Sequence, residues 1–243
     1  MFLPLIGKFA ESLYWLQISI HENHDWSDEV LENGFLPMIQ NIGQKLTNVT
    51  LDLKGIDHHL TAAIFKTLSE QCPNLELLEL KDDSKYSIPI VENGFQQLRK
   101  LKCTGVLPVY LSEFISPSNN ITELSLNQLW AKNLLFSAHA MSQKFRKLQD
   151  FQMNLGMTIE EKTIVLSLAK RWAKDIDEHF PIKTKVKLTV GIVPKFDQDH
   201  RKYERITIVR VPFQKTSVQT IPNQDPWPME FLSTTDHLDN IGY

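Results

Sequence analysis

In the stretch Cys72-Pro73-Asn74-Leu75-Glu76-Leu77-Leu78-Glu79-Leu80, three leucines, Leu75, Leu78 and Leu80, fall at the spacing L-x-x-L-x-L. Proline lacks a backbone N–H and its ring obstructs the preceding helical turn, so Pro73 ends any helix that runs into it. Such a helix precedes it: Leu60, Ile64, Phe65, Leu68 and Cys72 recur at helical spacing as one apolar stripe, with Thr61 at its start. Beyond the proline, side chains of an extended segment alternate between two faces, which turns Leu78 and Leu80 one way and Leu77 and Glu79 the other. The stretch therefore reads as helix, turn, strand.

The same frame returns at Leu13/Leu16/Ile18, Leu46/Val49/Leu51, Leu98/Leu101/Cys103, Ile121/Leu124/Leu126 and Leu148/Phe151/Met153. Successive starts lie 33, 29, 23, 23 and 27 residues apart, and all but the first interval fall within the roughly 20 to 29 residues of a leucine-rich repeat. The first interval predicts a longer helical insertion. One helix and one strand cannot bury these leucines alone, but stacked copies can. The expected fold is α/β: a leucine-rich repeat solenoid, a horseshoe with a parallel concave sheet and outer helices, its repeats irregular. Strands are expected near 16–20, 49–53, 78–81, 101–103, 124–126 and 151–153. The first strand follows so soon after Met1 that little room remains for an amino-terminal cap, which suggests a longer parent chain.

Between the strands, Ser27 or Asp28 caps a helix carrying Val30, Leu31, Phe35, Met38, Ile39 and Ile42. Residues 88–95 and 109–115, flanked by Pro89, Gly94, Pro108 and Pro117, allow about two helical turns each. A fuller helix is expected over 132–145 through Leu134, Leu135, Ala138, Met141 and Phe145. The strongest is expected over 158–180, with Thr158 and Glu161 as a capping box and Ile164, Val165, Leu168, Trp172 and Ile176 as the buried stripe. Val186, Leu188, Val190 and Ile192 then alternate with Lys185, Lys187, Thr189 and Gly191, while Ile206, Ile208 and Val211 mark a second strand. A hairpin of 185–193 and 204–211 is expected to extend and close the sheet. Pro222, Pro226 and Pro228 predict an irregular tail anchored by Trp227, Phe231 or Leu232, so the chain divides into a repeat domain, 1–212, and a tail, 213–243.

A net charge of −3 over 243 residues gives no whole-chain argument for nucleic acid or an anionic membrane. No segment approaches the ~18 apolar residues of a membrane span, and Met1–Gly7 lacks the basic start of a signal peptide. With two cysteines, Cys72 and Cys103, a disulfide framework is not expected, and a reducing compartment, cytoplasm or nucleus, fits. Both lie in the repeat frame and read as small core side chains rather than reactive thiols.

No glycine-rich phosphate loop, G-x-S-x-G or H-E-x-x-H is present, so no catalytic residue and no cofactor are expected. His21, His24 and Asp25, and the pair His58-His59, offer no third or fourth ligand and read as solvated loop residues rather than a metal site. The basic stretch 183–215 has aromatic residues interleaved as in nucleic-acid binders. On an alternating hairpin, however, Lys185 and Lys187 are simply the wet face, and no nucleic acid is expected.

If the leucines point inward, their neighbours line the open side of the strands. That wall comprises Trp15, Gln17 and Ser19; Asn48, Thr50 and Asp52; Leu77, Glu79 and Lys81; Lys100, Lys102 and Thr104; Glu123, Ser125 and Asn127; and Asp150, Gln152 and Asn154. It is polar and mixed in sign, running from Asp52 and Glu79 to Lys100 and Lys102. Trp15 is its best apolar anchor, unless a cap covers it. A protein partner on this face is the expectation.

The stretch Cys72–Leu80, with weaker echoes at Phe95-Gln96-Gln97-Leu98 and Phe145-Arg146-Lys147-Leu148, resembles the leucine-rich repeats of F-box proteins, the substrate receptors of Skp-cullin ubiquitin ligases. The resemblance covers Leu13 to about Met153. It implies a non-catalytic substrate-recognition module, with the Skp adaptor as companion only if an F-box lies upstream. A free-standing repeat scaffold is the alternative. The family's usual Asn or Cys after the strand is replaced by Lys54, Asp83, Val106, Leu129 and Gly156, so its buried hydrogen-bond ladder is not expected.

Overall fold

The computed structural model describes residues 13–19, 31–52, 58–81, 95–105, 120–130, 137–159, 162–194 and 204–222. Among them are nine strands: β1 Trp15–Ser19, β2 Asn48–Asp52, β3 Leu77–Lys81, β4 Lys100–Thr104, β5 Glu123–Trp130, β6 Asp150–Ile159, β7 Lys185–Pro194, β8 Glu204–Arg210 and β9 Ser217–Pro222. Four α-helices accompany them: α1 Leu36–Ile42, entered through a π-turn at Leu31–Phe35, α2 His58–Gln71, α3 Ala138–Lys144 and α4 Lys162–His179. The protein is α/β, with one open, mostly parallel sheet whose strand order is the chain order. It divides into two compact units, the first taking in residues to Leu126 with Gln143–Leu148, the second Asn127–Ser142 and everything from Gln149.

In the first unit the leucine frame sets the register. Leu16, Val49, Leu78 and Leu101 lie side by side across β1 to β4, and Ile18, Leu51, Leu80 and Cys103 form the next row. All except Ile18, on the edge strand, are buried, together with Leu46, Leu75, Leu98 and Ile121 from the frame's first position. Each such side chain contributes about 1.5 to 3 kcal/mol by leaving water. The π-turn and helices α1 and α2 add Phe35, Met38, Ile39, Ile42, Ile64, Phe65 and Leu68 to this core. Their ends meet closely at Gly43, where a Cβ would stand 2.5 Å from the Gln71 carbonyl oxygen and 3.1 Å from Cys72 Sγ.

The turn before each strand repeats as well. Leu46, Leu75, Leu98 and Leu148 each donate their N–H to the carbonyl three residues back, at Gly43, Cys72, Phe95 and Phe145. The carbonyl just before each strand then accepts two N–H groups from the next copy: Tyr14 from Thr47 and Asn48, Thr47 from Glu76 and Leu77, Glu76 from Arg99 and Lys100, Arg99 from Thr122 and Glu123. Side chains add a second tie, since Asn74 Nδ2 donates to the Gln44 carbonyl at 2.7 Å and Asn120 Nδ2 to the Gln96 carbonyl at 2.6 Å. These bonds sit before the strand.

In the second unit β6 runs parallel to β7 over ten residue pairs, from Asp150 opposite Lys185 to Ile159 opposite Pro194. Thr158 is therefore a strand residue rather than the helix cap expected of it, and α4 starts at Lys162; Glu161 lies outside the described residues. The alternation of Phe151 and Met153 continues into buried Leu155, which carries the strand past the three residues expected of it. β7 is a parallel partner of β6 as well as the first arm of the expected hairpin, whose second arm, β8, is antiparallel to it. Its preceding turn, closed by Thr184 N–H to the Pro181 carbonyl, has the same size as the others but lies one residue nearer its strand, which hid it from the leucine frame. β9, antiparallel to β8, lies within the segment expected to be irregular.

The core of this unit combines Phe151, Met153, Leu155, Val186, Leu188, Val190, Ile206 and Ile208 with Ala169, Trp172, Ala173 and Ile176 of α4. Phe151 stacks on Phe180 at 5.6 Å between ring centres. Helix α3 is tied to α4 by Asp175, whose Oδ2 accepts the Ala138 N–H at 2.8 Å, and by the imidazoles of His139 and His179, whose Nδ1 atoms lie 3.3 Å apart. β8 stops at Arg210, so Val211 is not the inward residue expected of it; Arg210, opposite Val186 and 2 % exposed, takes that place. Its Nε donates to the Thr184 carbonyl, its Nη1 to those of Ile176 and Phe180, and its Nη2 to that of Pro181. Burial pushes this guanidinium below its ordinary value and Asp177 opposes the shift. The group still holds its proton, and it supplies the donors that carbonyls at the end of α4 lack. The expected helix at 109–115 lies outside the described residues, as do 88–94 of the one expected at 88–95 and 132–136 of the one expected over 132–145.

Candidate protein-binding face

The residues expected to line the open side of the strands are best followed within each unit. In the first, Trp15, Asn48, Leu77 and Lys100 form one row across β1 to β4; Gln17, Thr50, Glu79 and Lys102 form the next; Ser19, Asp52, Lys81 and Thr104 the third. Trp15 is 57 % exposed and its neighbour Tyr14 60 %. Gln17, Lys100, Lys102 and Glu123 are exposed, and Asn48, Asp52, Leu77, Glu79, Lys81, Thr104 and Ser125 are half-buried. Thr50 is the exception at 8 %: its short side chain lies between Gln17 and Glu79 in the same row and offers little surface. The side chain of Ser19 lies outside the described residues.

Charges on this face meet across strands. Lys102 Nζ lies 3.8 Å from Glu79 Oε2, its register partner, and Lys100 Nζ lies 2.8 Å from Glu123 Oε1. Half-exposed pairs of this kind contribute little stability, about 0 to 1 kcal/mol. Their consequence is positional, because each holds a lysine head and a carboxylate at fixed places on the surface. Asp52 Oδ1, by contrast, is buried with no hydrogen-bond partner among the described residues, an acceptor still lacking a donor.

In the second unit the same arrangement recurs with shorter reach. Asn154 Nδ2 donates to Asn127 Oδ1 at 2.7 Å, Gln152 Nε2 donates to Asp150 Oδ1 at 3.3 Å, and Asp150 Oδ2 pairs with Lys185 Nζ at 3.0 Å. Asn127, Asp150, Gln152 and Asn154 are all half-buried and mutually satisfied, while Lys185 and Lys187 are exposed as the alternation of β7 predicts. No family model, curated protein or solved structure matches the chain. What the two faces can do therefore follows from their chemistry alone.

Elsewhere, Cys72 and Cys103 are buried core residues, and burial pushes the Cys72 thiol up to about 12, so it stays protonated and unreactive at neutral pH. Among the described residues no three side chains of metal-binding type come together. His58 and His59 belong to the first turn of α2 rather than a loop, and His21, His24 and Asp25 lie outside the described residues. Among the described residues no helix is long and apolar enough to cross a membrane. Tyr14 was not marked by the leucine frame, because it precedes the alternating segment; its place beside Trp15 was the available signal.

Proposed function

We propose that the chain is a leucine-rich repeat solenoid acting as a non-catalytic interaction module, and that it binds a protein partner through the strand face of its first unit. The observation that carries this reading is the split between neighbours on β1 to β4: one set of side chains is buried in register, and the alternate set is held at fixed spacing with mixed charge and an exposed Tyr14–Trp15 pair at one edge. Aromatic anchors beside charged groups are what protein interfaces use. The resemblance of Cys72–Leu80 to F-box repeats makes a ubiquitin-ligase substrate the kind of partner expected; the Skp adaptor joins it only if an F-box lies upstream.

The decisive experiment is partner capture with the intact chain and with the double variant Glu79→Lys/Lys102→Glu. Exchanging the two residues keeps opposite charges side by side, so the fold is retained while the pattern presented to a partner is inverted. Capture of the wild-type partners is expected to fall by about tenfold or more, a loss of roughly 1.4 kcal/mol, and wild-type binding to weaken as salt rises. The same partners recovered at the same strength would remove this face from consideration.

A further inference from the structure

Of the five large apolar side chains most exposed among the described residues, two are the Tyr14–Trp15 pair and three form a separate tip in the second unit: Ile182 at 61 %, Val211 at 49 % and Phe213 at 74 %. They come from two turns, one between α4 and β7 and one between β8 and β9, joined by the Phe213 N–H donating to the Ile182 carbonyl at 2.9 Å. Phe213 has a φ of 65°, a left-handed backbone that a bulky residue adopts only when its surroundings enforce it. They do so here. Arg210 holds the carbonyls of Pro181 and Thr184 from below, and Asp177 Oδ1 accepts both the N–H and the hydroxyl of Thr216 on the far side. The strain gains no burial for the ring; it presents the ring to solvent on a rigid base, the condition of a pre-organised anchor.

The charge around the tip selects its occupant. Glu178 pairs with Lys174, Asp177 is engaged by Thr216, and Lys185 is paired with Asp150. Exposed Lys183 and Lys215 flank the apolar residues in sequence and set a positive rim. Residues 223–243, outside the described residues, hold Asp225, Glu230, Asp236 and Asp239 without a lysine or arginine, interleaved with Trp227, Phe231 and Leu232. Distance permits the match: β9 leads away from the tip by about 17 Å at ~3.3 Å per residue, and the chain from Pro222 to Phe231 spans up to about 30 Å. Tethering supplies an effective concentration of order millimolar.

We propose that this tip is the docking site of the chain's own stretch 223–243, its aromatic side chains seated on Ile182, Val211 and Phe213 and its carboxylates facing Lys183 and Lys215. This surface is separate from the strand face of the first unit and does not depend on that face binding a partner.

The test places a photo-cross-linking benzoylphenylalanine at position 213 of the full chain, with Ile182 as the second position should the first fail to fold and exposed Lys170 as the control position. Irradiation is expected to join position 213 or 182 to residues 225–233 within one chain, and position 170 to none of them. In a Lys183→Glu/Lys215→Glu background the yield is expected to fall by about threefold, the effect of losing exposed ion pairs. Cross-links to a second copy only, to other parts of the chain only, or a yield indifferent to the two lysines would overturn the proposal.

Discussion

The first unit and the second solve one problem by different means. In both, strands lie side by side and the polar groups of the turns preceding them must be satisfied. The first unit repeats a short sequence, so that each copy buries leucines in line with its neighbour's and each pre-strand carbonyl receives two N–H groups from the next copy. In the second unit the copies stop repeating: β6 and β7 are long, the turn before β7 lies one residue nearer its strand, and β8 and β9 reverse direction. There one guanidinium gathers four carbonyl bonds from a helix end and a turn. Satisfaction that is spread over many weak, equivalent contacts in one unit is concentrated in a single side chain in the other.

The sharpest way to break this contrast is Arg210→Met. Removing the guanidinium leaves buried carbonyls without donors, and a loss of about 3 to 5 kcal/mol is expected. Hydrogen exchange should show the protection lost around residues 176–184 and 204–210. An unchanged unfolding midpoint would show that the carbonyls find other donors. Leu78→Ala tests the distributed side: it empties a buried frame position and is expected to cost about 2 to 5 kcal/mol, read as a shift in urea midpoint at constant slope. A smaller cost, about 1 to 3 kcal/mol, is expected for Gly43→Ala, since the new methyl meets backbone at Gln71 rather than a flexible side chain. Smallest is Glu79→Ala, within about 0.5 kcal/mol, because its partner Lys102 is exposed and the pair is 3.8 Å long. If Glu79→Ala were as damaging as Leu78→Ala, the inward and outward faces would be wrongly assigned.

The regular half was legible because an apolar residue at every frame position leaves few readings: Leu46, Val49 and Leu51 or Leu98, Leu101 and Cys103 can be buried together only in register. Chain order of the strands followed from the same fact. The irregular half was read by rules that its residues break. Thr158 followed three residues later by Glu161 has the pattern of a helix start, yet the strand pairing through Ile159 outweighs the cap. Ile206, Ile208 and Arg210 keep a strict alternation that places Arg210 inward, whereas Val211, marked for its apolar side chain, breaks it. β9 was hidden because Ser217, Gln219 and Thr220 carry no apolar alternation, its pairing being set by the neighbouring strand. Of the candidate face, the side on which each residue lies followed from alternation. That Lys100 and Lys102 are held by Glu123 and Glu79 did not, since it depends on which copies become neighbours.

The carbonyls of Tyr14, Thr47, Glu76 and Arg99 join copy to copy through main-chain atoms. An aromatic ring, a hydroxyl, a carboxylate and a guanidinium occupy the same post, so the tie is indifferent to the side chain there and that position can drift under mutation without loosening the array. One amino acid is barred from the donor posts that follow. A proline at Thr47, Asn48, Glu76, Leu77, Arg99, Lys100, Thr122 or Glu123 would delete the N–H that makes the join, and proline is absent from all eight. Sequence divergence between copies is therefore cheap nearly everywhere along this seam, which is how a chain with one clear copy and several faint ones keeps a common register.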